Sequence, residues 1–266
     1  MTIMRVHSNG ISLNVVCHGP ANGRCITLLG GITNDHRLWN THVARLAASY
    51  RVIRIDGRGH GLSDSTPSPY ALPQLADDVL GVWDALGVEK SVLAGLGLGG
   101  VVAAEVATRA PTRLMALVPI SCRASMTPEY AAIWPPMLGR AQKGGVAAIA
   151  QTTLERWFSP AFLEDHREQI DVIRAAILDT TLDGYVGSIA ALLTLDWSRG
   201  LNSFAFPVMY VSGEHDRVGA PPGIMQAMCD ATPGATHVIL PGATHISPVC
   251  NPSAFCDAME ALVSRL

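Results

Sequence analysis

The feature that most constrains this chain is a short apolar run that ends in a glycine-rich turn and continues into a helix. Residues 91–94 (SVLA) are typical of a buried strand, residues 95–99 (GLGLG) form the turn, and residues 100–107 have the small side chains of a tightly packed helix. Glycines allow the sharp reversal and the close approach of the backbones that such a turn needs. The segment therefore predicts a strand–turn–helix unit at one edge of a sheet.

The central residue of this turn decides which chemistry it can perform. A G-x-S-x-G turn lifts a serine Oγ above the sheet, where it acts as a nucleophile. Gly97 stands at that position and has no side chain that could attack a substrate. The segment also satisfies the dinucleotide-binding pattern G-x-G-x-x-G. That weaker alternative requires an acidic residue at the end of the next strand, and residues 114–121 contain none.

Composition bounds the class of protein. The 266 residues suit one large α/β domain, or a domain with a modest insertion, and a hydrophobic content of 48% supplies ample core material. A net charge of −3 disfavours nucleic acid or an anionic membrane as a partner. The six cysteines form no C-x-x-C pair, and the first residues lack the apolar core of a signal peptide. We therefore expect a cytoplasmic protein with no metal and no cofactor, and self-association into a homo-oligomer stays open.

Strand-like and helix-like runs alternate along most of the chain. Buried strands are predicted at residues 25–29 and 51–55, and late strands at 207–211 and 236–240. Helices are predicted from Pro73 to Gly87 and after Asn251. This alternation predicts an α/β fold, a mostly parallel sheet of about eight strands with helices on both faces. The turn Ser8-Asn9-Gly10 between two apolar runs predicts a hairpin, and so an antiparallel edge.

The middle of the chain interrupts this rhythm. Residues 122–200 are rich in alanine and helix-like, and they contain no convincing strand. We predict a helical cap at 122–200, inserted into a core formed by residues 1–121 and 201–266. Such a cap would cover the site and shape a largely apolar pocket, with Trp134 on its wall.

The loops that follow predicted strands carry the candidate chemistry. Gly31 and Ile32 follow the first buried strand, and the backbone N–H groups of Ile32 and Leu98 are predicted to form an oxyanion hole. Asp216 follows a late strand, a natural place for the acid of a catalytic triad. His245 follows the last strand, a natural place for the base. The chain thus presents apex, acid and histidine in that order.

Other residues have competing interpretations. Glu214 and Asp230 are alternatives to Asp216 as the acid, and the loop at residues 56–64 (DGRGHGLSD) is predicted to have a structural role. His36 either lines the mouth of the pocket or lies in a solvated segment. Cys122 and Arg123 begin the predicted cap and either face the substrate or lie elsewhere. An arginine facing the substrate would pair with a carboxylate.

By these motifs the chain resembles the α/β-hydrolase superfamily, and within it the 3-oxoadipate enol-lactonase-like branch. The resemblance covers essentially the whole length and includes residues 156–162 (RWFSPAF) and 242–247 (GATHIS). It implies hydrolysis of a small ester or enol-lactone by a Ser-His-Asp triad without a cofactor. It makes His245 the base and Asp216 the residue that orients it, and it places Gly97 where the nucleophile should be.

Three hypotheses follow for Gly97. The chain is a hydrolase disabled at its nucleophile, by engineering or by natural substitution. Alternatively, it is a non-hydrolytic, cofactor-free enzyme in which His245 and Asp216 transfer protons or activate water. The third hypothesis is that the chain is a non-catalytic protein that binds a small molecule. Retention of the His245–Asp216 pair favours the first two, since a receptor has no evident need for an aligned pair.

Overall fold

The computed structural model describes all 266 residues and contains one eight-stranded sheet. The strands are β1 (Thr2–Ser8), β2 (Ile11–His18), β3 (Cys25–Leu29), β4 (Arg51–Ile55), β5 (Ser91–Leu96), β6 (Leu114–Ile120), β7 (Met209–Gly213) and β8 (Thr236–Leu240). Their order across the sheet is β1-β2-β4-β3-β5-β6-β7-β8. The strand β2 is antiparallel to both β1 and β4, and all the other pairs are parallel. The predicted mostly parallel sheet with an antiparallel edge is confirmed.

Twelve α-helices accompany the sheet. They are α1 (Asn40–Leu46), α2 (Leu72–Ala85), α3 (Leu98–Arg109), α4 (Pro128–Ala131), α5 (Trp134–Gly144), α6 (Ala147–Trp157), α7 (Pro160–Asp165), α8 (Arg167–Asp179), α9 (Leu182–Leu193), α10 (Pro222–Asp230), α11 (Ser247–Cys250) and α12 (Pro252–Val263). In the core, α2 packs beside α3, and α1 packs beside α12. Every residue of β3 and β5 is buried, as expected for central parallel strands that are covered on both faces.

Six helices, α4 to α9, lie between β6 and β7. Residues 122–200, called the inserted segment below, contain no strand, and only an isolated bridge joins Ser125 to Asp196 near its two ends. The predicted helical character of this segment is therefore confirmed, while its status as a separate cap domain stays a prediction.

Each helix of the fold, taken alone, is too short or too polar to cross a membrane. The pair α8 and α9 meets the length and composition criteria only when taken together, and the two helices meet at 91°.

Parallel strands bring their carboxyl ends to one edge of the sheet. The loops after β3, β4, β5, β7 and β8 therefore approach one another there, which is where ligands bind in open α/β sheets. These loops carry the candidate site residues.

Candidate active site

The turn between β5 and α3 has the geometry of a nucleophile elbow. Gly97 adopts φ +54° and ψ −117°, a conformation that glycine tolerates and other residues adopt only under strain. Its N–H donates to the Ile120 carbonyl at 2.9 Å, which ties the turn to β6. A Cβ added at Gly97 would meet only the Gly31 Cα, at 3.9 Å. The apex therefore has room for a side chain that it does not carry.

A hydrogen-bonded pair lies beside this turn. His245 Nδ1 is 3.0 Å from Asp216 Oδ2, and both residues are buried. The other carboxylate oxygen of Asp216 accepts the Val218 N–H at 2.8 Å and the Gly219 N–H at 3.3 Å. Because Nδ1 faces the carboxylate, it carries the proton in the neutral ring and leaves Nε2 as the acceptor. Nε2 has no hydrogen-bond partner in the protein, and His245 lines the same pocket as Gly97.

Asp216 is held in its ionised form. Burial by itself raises the pKa of this carboxyl. The charge of His245 and the hydrogen bonds from His245, Val218 and Gly219 outweigh burial and lower the pKa to about 2. Asp216 can therefore orient His245 and stabilise the imidazolium that forms when the ring takes up a proton.

This depressed pKa predicts an acid sensitivity. A carboxyl with a folded-state pKa of about 2 against an ordinary 3.8 stabilises the fold above pH 4, and this contribution is lost as pH falls through 2. We expect the loss to reach about 2 kcal/mol. Urea unfolding at pH 5, 4, 3 and 2 should show that the parent loses more stability than Asp216→Asn. Parallel pH curves for the two proteins would contradict the expectation.

Two backbone donors face the same pocket. The N–H groups of Ile32 and Leu98 donate to no acceptor in the protein, and both residues line the pocket with Gly97 and His245. Free N–H groups next to an elbow are the arrangement that stabilises an oxyanion. The geometry agrees with the predicted oxyanion hole, whose role stays a prediction.

A histidine outside the pocket holds the loop that carries one of these donors, Ile32. His60 Nε2 accepts the Thr33 N–H at 3.0 Å, and its Nδ1 lies 2.9 Å from the Arg58 carbonyl, to which it donates. Burial lowers the pKa of His60, which keeps the ring neutral and able to accept at Nε2. His60 therefore positions the loop that carries Ile32. The loop at residues 56–64 has the structural role predicted, but nothing in its sequence indicated this contact.

The pocket extends from Gly97 and His245 to the inserted segment. Both Gly31 and Trp134 line it, as expected. Sequence reasoning missed several further residues on the inserted segment: Tyr130, Met137, Thr153, Arg156, Trp157 and Tyr185. No signal in the sequence distinguished these from other helical side chains, because their orientation depends on how α5, α6 and α9 pack.

Polar groups without partners are concentrated around this pocket. Trp134 Nε1, Thr153 Oγ1, the Tyr185 hydroxyl and both amide atoms of Asn34 are buried and form no hydrogen bond within the protein. Burial raises the pKa of Tyr185 to about 12, so its hydroxyl stays a donor. Arg156 also lines the pocket and forms no ion pair or hydrogen bond. Since unpartnered buried polar groups are costly, these atoms are suited to hold a polar ligand.

Three residues that were candidates for substrate binding lie outside the pocket. His36 is tied to Asp56 by its ring Nδ1, at 2.9 Å, and by its backbone N–H. Cys122 packs behind α3, where a Cβ on Gly100 would come within 2.7 Å of its sulfur. Arg123 donates from Nε to the Gly219 carbonyl at 2.6 Å and lies over the Tyr130 ring at 4.6 Å. These contacts direct all three side chains away from the space above Gly97, which corrects the expectation that they meet the substrate.

One group of side chains lies close enough to share a metal ion. The ligand atoms of Asp35, His36 and Asp56 all lie within 4.8 Å of one another. Their oxygens are already occupied, because Asp35 accepts from Arg37 and Asp56 accepts from His36, Leu62 and the amide of Asn14. The group is therefore explained by hydrogen bonding between the loops.

Comparisons with known proteins agree with this architecture. The model of the Alpha/beta hydrolase family matches residues 15–258. Two 3-oxoadipate enol-lactonases of Acinetobacter baylyi are similar in sequence. Enol-lactonase 2 is 28% identical over 96% of this chain and 94% of its own length, and enol-lactonase 1 is 30% identical over 82% and 80%.

A solved structure supports the same assignment. The crystal structure of the enol-lactonase from Burkholderia xenovorans LB400 is 29% identical, covers 98% of this chain and 100% of its own, and superimposes with a TM-score of 0.93. This likeness to a hydrolase argues against the dinucleotide-binding interpretation of the glycine-rich turn. From its sheet, its elbow and these relatives, the chain belongs to the alpha/beta hydrolase family and to its enol-lactonase-like branch.

Proposed function

We propose that this protein binds a small carboxylic ester or lactone in a hydrolase-type site from which the acyl-transfer step has been lost at Gly97. The observation that carries the proposal is the room left at the apex. A side chain fits there, next to a buried His245–Asp216 pair and two unpartnered N–H groups, yet position 97 supplies no Oγ.

The proposed site binds its ligand through the carbonyl group. The substrate carbonyl oxygen accepts hydrogen bonds from the N–H groups of Ile32 and Leu98, which places the carbonyl carbon above Gly97. In a complete triad, a serine Oγ would attack that carbon while His245 Nε2 takes its proton. Glycine has no atom to form the acyl-enzyme, so the substrate is bound without covalent transfer.

The position of Arg156 indicates that the substrate carries a carboxylate. It is a half-buried cation on the pocket wall with no anionic partner in the protein. A guanidinium in this setting pairs with a carboxylate through two parallel hydrogen bonds. Arg123 was the earlier candidate for this role, but its Nε is occupied by the Gly219 carbonyl.

Replacing Arg156 tests the proposed ligand class. For Arg156→Met we expect the affinity for the monomethyl ester of a short dicarboxylic acid to fall by about 10-fold or more, because a charge-assisted hydrogen bond is lost. Affinity for the matching dimethyl ester should stay the same. Calorimetry on both ligands provides the measurement, and Arg140→Met, an exposed arginine on α5, is the matched control. Equal losses for the two esters would show that Arg156 does not bind the carboxylate.

A second candidate function retains chemistry without a serine. The free Nε2 of His245, backed by an ionised Asp216, belongs to the same pocket as Gly97. That pair would activate a water molecule or transfer a proton in a non-hydrolytic reaction. The third candidate, a receptor whose pocket no longer fits an ester or lactone, is less favoured, because such a receptor has no use for an oriented imidazole.

A further inference from the structure

A second cavity lies behind the loop that carries Ile32. It sits above the ends of β3 and β4, between α2 and α3, and is closed on one side by Ser188 of α9. Its volume is comparable to that of the active-site pocket. Gly31, Asn34 and Leu98 line both spaces, so these residues form the wall between them.

Two of the polar side chains that line this cavity are an amide and a hydroxyl, those of Asn34 and Ser188. Asn34 is only 4% exposed, and neither its Oδ1 nor its Nδ2 has a hydrogen-bond partner in the protein. A buried amide without a partner in the protein is rare in folded proteins and calls for a ligand or a water molecule to satisfy it. Ser188, 2% exposed, adds a hydroxyl-bearing side chain to the same cavity. Together these residues call for a ligand that both donates and accepts hydrogen bonds.

The charged residues of the cavity neutralise each other. Arg58 donates to both carboxylate oxygens of Asp78, at 3.0 Å from Nε and 2.7 Å from Nη2. Its Nη1 donates to Thr66 at 3.1 Å, and Asp78 also accepts from Asn9 at 3.0 Å. No free charge is left to attract an ion. A charged ligand would lose its hydration without gaining a counter-ion, which is strongly unfavourable in a buried site.

From these contacts we propose that the cavity is a second binding site, for a small neutral carboxamide. The amide of the ligand pairs with Asn34 and Ser188, while its short alkyl part contacts the apolar side chains Leu29, Ile55, Val79 and Val102. The ligand is either a free small molecule or the amide-bearing end of a larger one that reaches past Asn34. The proposal does not rest on the function proposed above: Asn34 and Leu98 line both cavities, but the contacts that the carboxamide needs do not involve Gly97 or His245.

Propionamide and propionate provide the first test, since they share a shape and differ in charge. Titration of the full chain by ¹⁵N NMR should show that propionamide shifts amide signals around Asn34, Arg58 and Ser188. Propionate should leave Arg58 and Ser188 unchanged. If propionate binds there as well as propionamide, or if propionamide shifts none of these signals, the proposal is overturned.

Two matched hydroxyl deletions locate the ligand. Ser188→Ala removes a hydroxyl from the second cavity alone, and Thr153→Val removes one from the active-site pocket alone. We expect Ser188→Ala to weaken propionamide binding by about 5-fold to 10-fold, the effect of one lost hydrogen bond. Thr153→Val should have no effect on it. The reverse pattern would place propionamide in the active-site pocket and overturn the proposal.

Asn34→Leu gives a second readout and identifies the source of the amide. It should abolish propionamide binding and also raise the free energy of unfolding, because it removes an unpartnered buried amide. Unchanged propionamide binding in this variant would contradict the proposal. For the source, an amide-terminated methyl ester that displaces propionamide and also shifts the Ile32 and Gly97 signals identifies the end of a substrate. Simultaneous binding of both compounds identifies a free small molecule.

Discussion

Gly97→Ser should produce an active esterase, while the unaltered protein should hydrolyse short-chain nitrophenyl esters and enol-lactones at almost no rate. We expect a gain of about 10³-fold or more, because the new Oγ joins a base and an oxyanion hole already in place. The space at the apex accommodates the side chain. Serine at φ +54° should reduce the free energy of unfolding by about 1 kcal/mol, since this backbone conformation favours glycine.

Two controls isolate the role of the hydroxyl. Gly97→Ala adds the same Cβ and the same backbone strain without a nucleophile, so it should remain inactive. Gly97→Ser/His245→Ala keeps the Oγ but removes its base, and should lose the gained activity. A folded but inert Gly97→Ser protein would favour the non-hydrolytic or the ligand-binding alternative. Efficient ester hydrolysis by the unaltered protein would contradict the position of Gly97 at the catalytic apex.

In the serine variant, Asp216→Asn should lower kcat by about 10⁴-fold, the effect of the equivalent change in serine proteases. Asparagine has no charge to stabilise an imidazolium, and its amide can donate to Nδ1. A donated proton at that nitrogen favours the tautomer in which Nε2 carries the hydrogen and cannot accept one from Oγ. Steady-state kinetics on a nitrophenyl ester measures the loss.

The neighbouring acid gives the matched comparison. Glu214 is in the same loop, but it is exposed and accepts the Gly242 N–H at 2.8 Å, so it lies outside the pair. Glu214→Gln should leave kcat of the serine variant nearly unchanged. An equal loss in both variants would show that Asp216 acts by holding the loop rather than by orienting His245.

Much of this architecture could be predicted from local sequence patterns. Strands β3 and β5 are continuous apolar runs, and the helix predicted from Pro73 to Gly87 corresponds to α2. Asp216 and His245 could be placed because each lies in the loop that follows a strand, and the carboxyl ends of parallel strands meet at one edge of the sheet. Position along the chain therefore determines their position in space.

The pocket wall could not be predicted in the same way. Arg156 and Tyr185 lie on different helices of the inserted segment, and their proximity depends on how those helices pack. Cys122 directly follows β6, as a site residue would, yet its side chain turns under α3 because the helix beside it begins with glycines. The sequence neighbourhood of a strand end indicates which loop is near the site, but not which way each side chain points.

The side chain of Arg123 joins two parts of the molecule that are far apart in sequence. Its Nε donates to the carbonyl of Gly219, and the N–H of Gly219 donates to Asp216. The guanidinium of Arg123 also lies over the ring of Tyr130 on the pocket wall. Tyr130 in turn meets Trp134 edge to face, with ring centroids 6.0 Å apart. Arg123 therefore connects the aromatic wall of the pocket to the loop that carries Asp216, the residue that orients His245.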